Sequence, residues 1–425
     1  MTQRRDVTLL FSTRLIRLFC YGFLSVVLAL YLAQVGLDEK QIGLLFTLTL
    51  AGDAGISLWL TTSADRSPAL HQTQCGVSVG RRRTLLIGAA LMFGAGIAFI
   101  VTNDIVLLIA AAIVGVISPS GNEIGPFLSV EQAALSHLLP NEKRTQVFAW
   151  YNLVGSFATA TGALAGGWLA QVLQSNGTSA LDAYRIVLMG YSLGGLVLGI
   201  FFLALSRDVE VDSTPRTEST PRVLGLHKSR GVVIRLSALF SLDAFAGGFV
   251  VQSLIAYWFY VKFGVEAGVI GSIFFGANVL AGISALLAVK IAAKIGLINT
   301  MVFTHIPSNI LLILVPLMPT LPLAIIVLLL RFSISQMDVP TRQSYTMAVV
   351  APDERSAAAG VTAIARSVGA ALSPSLTGIF LASPALLSLP FFLSGGLKII
   401  YDLLLYRSFS TMKPPEERRT TNFSL

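Results

Sequence analysis

Long apolar runs joined by short polar stretches make up nearly the whole chain. Hydropathy and helix breakers predict spans near 8–34, 42–62, 84–102, 105–128, 147–172 and 184–205, and then 234–260, 267–289, 299–318, 321–347, 356–381 and 386–406. A membrane-crossing helix needs about 20 predominantly apolar residues, which these runs supply. Backbone groups in lipid must be satisfied internally, and nothing here alternates like a barrel strand, so helix is expected throughout.

The pattern repeats. Val35-Gly36-Leu37-Asp38, Ile42-Gly43 and Phe46 return as Phe263-Gly264-Val265-Glu266, Ile270-Gly271 and Phe274, at an offset of 228 residues. Glu131-Gln132 and Pro140-Asn141-Glu142 return as Arg342-Gln343 and Pro352-Asp353-Glu354, at offsets of 211 to 212. Duplicated helix bundles in lipid are mostly transporters. The expected architecture is an all-α membrane protein of 12 transmembrane helices in two pseudo-symmetric six-helix halves. They divide as 1–205 for the first half, 206–232 for a linker, 233–412 for the second half and 413–425 for a tail.

Composition agrees. Of the 425 residues, 54% are apolar and 12% charged, with a mean hydropathy of +0.75; soluble domains carry roughly a quarter charged residues. The net charge of +8 is a matter of placement. With the N-terminus inside, the inner loops and ends hold Arg4, Arg5, Arg66, Arg81, Arg82, Arg83, Lys143, Arg144, Arg207, Lys228, Lys290, Lys294, Arg355 and Arg407 among others, against Lys40, Arg185 and Lys262 outside. That bias predicts cytoplasmic termini. It is a topology signal and implies no nucleic-acid partner. The stretch 206–231, with Pro215 and Pro221, reads as a flexible cytoplasmic linker. Cys20 and Cys75 suggest neither a disulfide framework nor a metal site. Asn176-Gly177-Thr178 is a glycosylation acceptor pattern on an expected outer loop. No cleavable signal peptide is visible, because Arg14 and Arg17 interrupt the first apolar run.

Between the second and third spans stand Ala64-Asp65-Arg66 and, after an interruption at 67–78, Val79-Gly80-Arg81-Arg82-Arg83. Joined across it, the residues resemble the cytoplasmic loop signature of the major facilitator superfamily. The second copy, Ala292-Ala293-Lys294-Ile295-Gly296, keeps the glycine and lacks the acid. The resemblance implies that fold, and a loop that helps hold the halves together on the inside in one state. Gly155, Gly162, Gly166 and Gly167 are similar to the glycine-rich fifth span of the superfamily's antiporters, without its Gly-Pro pair. The antiporter arginine of the fourth span has no counterpart between Ile105 and Ser120.

Ionisable groups inside a bilayer cost a few kcal/mol on insertion scales and are functional candidates. Asp243, Glu123 and Asp53 are the expected proton-coupling candidates, Asp243 first. Arg331, Arg366, Asp338, Tyr21, Asn152, Gln252 and Asn278 are expected to line a substrate cavity, with Tyr257, Trp258 and His305 as further polar or aromatic candidates. Arg331, Asp338 and Arg342 would share one face of a continuous tenth span, leaving Arg331 to meet Asp243 or a substrate anion. A cytoplasmic gate is expected from Asp65, Arg66, Gly80, Arg81, Arg82, Glu131, Arg144, Arg342, Glu354 and Arg355. For each charge the plainer alternative is a fixed salt bridge.

Nothing resembles a nucleotide-binding Gly-x4-Gly-Lys-Ser/Thr loop, and the histidines at 71, 137, 227 and 305 have no metal-ligand spacing. The expectation is a monomeric secondary transporter in the cell membrane, with no cofactor, no metal and no enzymatic activity. Its partners would be a small molecule, protons and lipid. Proton-coupled efflux of a small organic molecule leads; transport of an anionic metabolite or sugar-like facilitation are the alternatives.

Overall fold

The computed structural model describes residues 2–64, 80–123, 127–139, 141–206, 209–210, 226–351 and 354–412. Among them there is no β-strand. The helices are α1 (Thr2–Ser25), α2 (Leu28–Val35), α3 (Glu39–Ala64), α4 (Arg81–Val101), α5 (Ile105–Val114), α6 (Phe127–Leu138), α7 (Asn141–Ser175) and α8 (Ala180–Leu203). They continue as α9 (Arg230–Gly248), α10 (Gln252–Phe263), α11 (Ala267–Ile295), α12 (Leu297–Leu314), α13 (Leu321–Ser335), α14 (Asp338–Val349), α15 (Arg355–Leu381) and α16 (Leu389–Phe409). Ten stretches among the described residues are long and apolar enough to cross a membrane, and Ile105–Val114 is a shorter apolar helix. The α3 helix and the α5–α6 segment occupy the two remaining predicted positions.

The predicted first, fourth, seventh and tenth spans are each interrupted; the apolar pattern suggested continuous helices in the first, seventh and tenth, whereas Pro119 and Pro126 with the nearby glycines mark the fourth as distorted. In the fourth, helix stops at Val114 and resumes at Phe127, so that this segment runs to Leu138, past the predicted end at 128. Pro119 supplies no N–H there. The freed carbonyls find other donors: Tyr191 donates to Val116 O, Ser253 N–H to Pro119 O at 3.0 Å, and Ser118 Oγ to Asn122 O at 2.8 Å. In the first span the chain breaks after Ser25, whose carbonyl accepts from Ser253 Oγ at 2.6 Å and whose hydroxyl accepts from Gln252 at 2.8 Å. In the seventh, Thr377 Oγ1 donates to Phe249 O at 3.0 Å and Ser373 Oγ to Phe245 O at 2.6 Å. Buried breaks survive in lipid only when their backbone groups are re-satisfied in this way.

The tenth span corrects the expectation of a single helical face. Pro340 cannot donate to the carbonyl four residues back, at Gln336, and the helix divides between Ser335 and Asp338. Arg331 lies on α13 while Asp338 and Arg342 lie on α14, so sequence spacing does not align all three.

The repeat survives at the backbone. Gly36 and Gly264, paired at offset 228, both close a helix with positive φ (105° and 64°). Gly80 and Gly296, paired across the interruption, both open one at φ 73° and 86°. Glycine alone takes such angles without a Cβ penalty.

The chain forms two compact units. The first joins α1 to α8 with residues 251–275, and the second joins residues 226–250 with residues 276–351 and 354–412. In the first, α1 lies along α7, where Gly162 meets Phe19 O and Gly166 meets Phe23 O so closely that a Cβ has no room. In the second, α9 lies along α15, with Gly369 against Ser241 O. Small residues at such crossings let helix backbones approach.

Candidate functional site

Each unit buries its own cluster of charges. In the first, α1 presents Arg14 and Arg17 three residues apart, on one helical face. Arg17 grips Glu131 of α6 with both terminal nitrogens, at 2.8 and 2.7 Å, and its Nε donates to Glu123 at 2.6 Å. Arg14 donates to Glu123 at 2.9 Å, to Asn152 Oδ1 at 3.2 Å and to the Tyr151 carbonyl at 2.8 Å. Thr13 Oγ1, at 2.9 Å, and the Tyr151 hydroxyl complete the shell of Glu131. The Arg17 and Glu131 side chains have no exposed surface. Two arginines face two glutamates, so charge is balanced and most polar atoms are engaged.

The second cluster is assembled differently. Asp243 of α9 is buried beneath three cations from three helices. Lys398 Nζ of α16 donates to Oδ1 at 2.5 Å. Arg366 Nη1 of α15 donates to Oδ2 at 3.0 Å, and Arg342 Nη1 of α14 to the same oxygen at 3.2 Å. Arg342 also holds Asp338 at 2.7 Å. Beside this group Asp402 accepts from Asn309 at 3.1 Å and pairs with His305 Nδ1 at 2.8 Å. Arg331 lies over the Phe332 ring at 4.8 Å, and its buried Nε has no hydrogen-bond partner among the described residues.

Of the expected proton carriers, Asp243 and Glu123 lie at the centres of these clusters, in separate units. Asp53 lies half-buried on α3. Of the expected cavity residues, Arg366 and Asp338 join the Asp243 group, and Asn152 joins the Arg14 group. Tyr21 is fully buried one turn beyond Arg17; Gln252 bonds Ser25 at the helix breaks; Asn278 is half-buried on α11. Tyr257 donates to Glu39 at 2.9 Å.

The expected gate residues divide among several places. Asp65 and Arg66 lie outside the described residues, and Arg144 falls in the first turn of α7. Glu131 and Arg342 belong to the two buried clusters. Gly80 opens α4, where the backbone N–H groups of Arg81 and Arg82 donate to Glu210 at 2.8 and 3.1 Å; Arg82 Nε also reaches Phe202 O at 3.2 Å. Glu354 accepts from the N–H groups of His227, Lys228 and Ser229, each at 2.8 Å. Arg355 donates to Met347 O at 2.9 Å.

Sequence reasoning passed over Lys398, Asp402 and Tyr151. The first two carried a signal, since a lysine and an aspartate four residues apart interrupt the apolar run 386–406. Tyr151 carried none.

The Major Facilitator Superfamily model matches residues 10–374. An uncharacterized membrane protein of Saccharomyces cerevisiae, YJR124C, is 32% identical over 430 residues, covering 94% of this chain and 93% of the yeast protein. Among solved structures, the nucleoside transporter NupG superposes with a TM-score of 0.68 at 13% identity, covering 95% of this chain and 99% of that one. A bacterial homolog of the human lysosomal transporter Spinster, inward-facing and unoccupied, gives 0.66 at 16% identity, covering 96% of each chain. At such identities the two structures speak for the fold alone.

Proposed function

The chain belongs to the Major Facilitator Superfamily, and from that premise we propose that it is a secondary transporter of a small organic molecule, working by alternating access and coupled to protons at Asp243. One observation carries the coupling: a single buried carboxylate shared by three cations on three different helices. Desolvation favours its protonated form and the cations favour its ionised form. Any step that moves one cation away changes its proton occupancy. Glu123 is held by two arginines on one helix, a more rigid arrangement that suits a structural role.

Net export by exchange against protons is a second reading. It rests on the likeness of Gly155, Gly162, Gly166 and Gly167 to the antiporters' fifth span, although Gly162 and Gly166 are also required by the α1–α7 crossing.

Proton flux in proteoliposomes under an imposed pH gradient, screened against a small-molecule library, tests both. Wild type is expected to show substrate-dependent proton movement, and Asp243→Asn to lose it. Substrate gathering on the acidic side indicates exchange, and gathering on the alkaline side indicates co-transport. Substrate flux without proton movement rejects the coupling assignment and returns Asp243 to a structural role.

A further inference from the structure

Counting charged side chains that are not exposed, the second unit holds four cations inside its membrane-spanning stretches, Arg331, Arg342, Arg366 and Lys398, against three carboxylates, Asp243, Asp338 and Asp402. Asp402 is already engaged by His305 and Asn309. Counting the arginines and the lysine alone, one positive charge has no counter-charge among the described residues of this interior. Buried uncompensated charge is costly, and the first unit's cluster of paired arginines and glutamates avoids it.

The surplus has an address. Arg366 uses one terminal nitrogen on Asp243, and 33% of its side chain is exposed, against 9% for Arg342 and 10% for Lys398. Arg331 holds a buried Nε without a partner. Both arginines lie within electrostatic reach of Asp338. Guanidinium groups with free N–H edges suit a planar oxyanion, which they bind with charge-assisted, bidentate geometry.

We propose that this cluster binds a small organic monoanion bearing a carboxylate, held by Arg331, Arg366 and Lys398, and that the anion competes with Asp243 for Arg366 and Lys398, so that anion and proton are bound together. This rests on Asp243 as the coupling group and adds the substrate's charge. The groups facing Asp243 are Arg342 and Asp338 from α14, Arg366 from α15, Lys398, Tyr401 and Asp402 from α16, and His305 from α12. When the anion draws Arg366 and Lys398 away, a desolvated carboxylate remains with Arg342 alone, and Arg342 is shared with Asp338. It takes up a proton from water, and the pair loaded on the protein is neutral.

The test uses the purified full-length protein in detergent, with benzoate as the monoanion, benzyl alcohol as its neutral match, and succinate and inorganic phosphate as the competing anion types. Benzoate is expected to raise the melting temperature while benzyl alcohol leaves it unchanged. Arg366→Gln is expected to weaken benzoate binding by about tenfold to a hundredfold, the worth of a charge-assisted bond, and Arg366→Lys to restore part of it. In weakly buffered solution, benzoate is expected to drive proton uptake by wild type and none by Asp243→Asn. That variant, freed of the competing carboxylate, gains more thermal stability from benzoate than wild type does. Stabilisation by benzyl alcohol equal to that by benzoate, no response to any anion, preference for succinate or phosphate, or proton release on binding would each overturn the proposal. Proton-coupled flux in proteoliposomes combined with any of those results rejects the anion site alone. Absence of proton coupling rejects the assignment of Asp243 beneath it.

Discussion

The two units carry the same helix pairing and opposite charge logic. In the first, the leading span carries arginines and its partner span carries glutamates; in the second, the leading span carries Asp243 and its partner carries Arg342. Glu131 and Arg342 occupy equivalent repeat positions, so the sign is inverted at matched places. The first cluster is balanced and Glu131 is gripped by both nitrogens of one arginine. The second holds one carboxylate among cations that outnumber it. The duplicated scaffold thus holds a charge-balanced cluster in one unit and a carboxylate shared by three cations in the other.

Removing one partner of the balanced pair is the largest predicted effect. Arg17→Met leaves Glu131 without its bidentate cation, and should cost about 3–5 kcal/mol of stability, seen as a steep fall in the melting temperature of purified protein. Unchanged melting with lost transport would break the contrast, by making the first cluster a working site.

The shared scaffold predicts equality. Gly162→Ala and Gly369→Ala each drive a Cβ into a backbone carbonyl at the α1–α7 and α9–α15 crossings, and each should cost about 1–3 kcal/mol through forced separation. A thermal shift confined to one of the two would show that the crossings are not equivalent.

Smallest in stability is Lys398→Met, which removes a cation from the unit that has one to spare. Its cost should fall below the about 3–5 kcal/mol of a buried pair broken outright, because Asp243 keeps Arg342 and Arg366 as counter-charges. Substrate-driven proton flux should nevertheless disappear. A loss of stability as large as that of Arg17→Met would mean that Lys398 is a structural staple too.

Much of the candidate site was legible because a charge in an apolar run stands out: Asp243, Glu123, Asp338 and Arg366 were visible in this way. Lys398 and Asp402 were equally visible and were passed over, four residues apart in the last span. Tyr151 and Thr13 could not be found, because hydroxyls in membrane helices are common and only proximity to Glu131 gives these a role. The interruption of the tenth span was signalled by Pro340. The break after Ser25 had no such mark and depends on Ser253, more than two hundred residues away, to satisfy the exposed carbonyl, and on Gln252 to bond the Ser25 hydroxyl.

The sequence by itself determined the all-helical fold and the duplication, because apolar length and backbone hydrogen bonding in lipid leave no other structure open, whereas the breaks within spans came from the tertiary structure. It also determined which spans carry charge. Only the tertiary structure decided which charges meet, since a pairing such as Asp243 with Lys398 joins residues far apart in the chain and turns on helix rotation and crossing, neither of which periodicity encodes. From that came the difference between the units: a closed, balanced cluster in one and a shared carboxylate with surplus cations in the other.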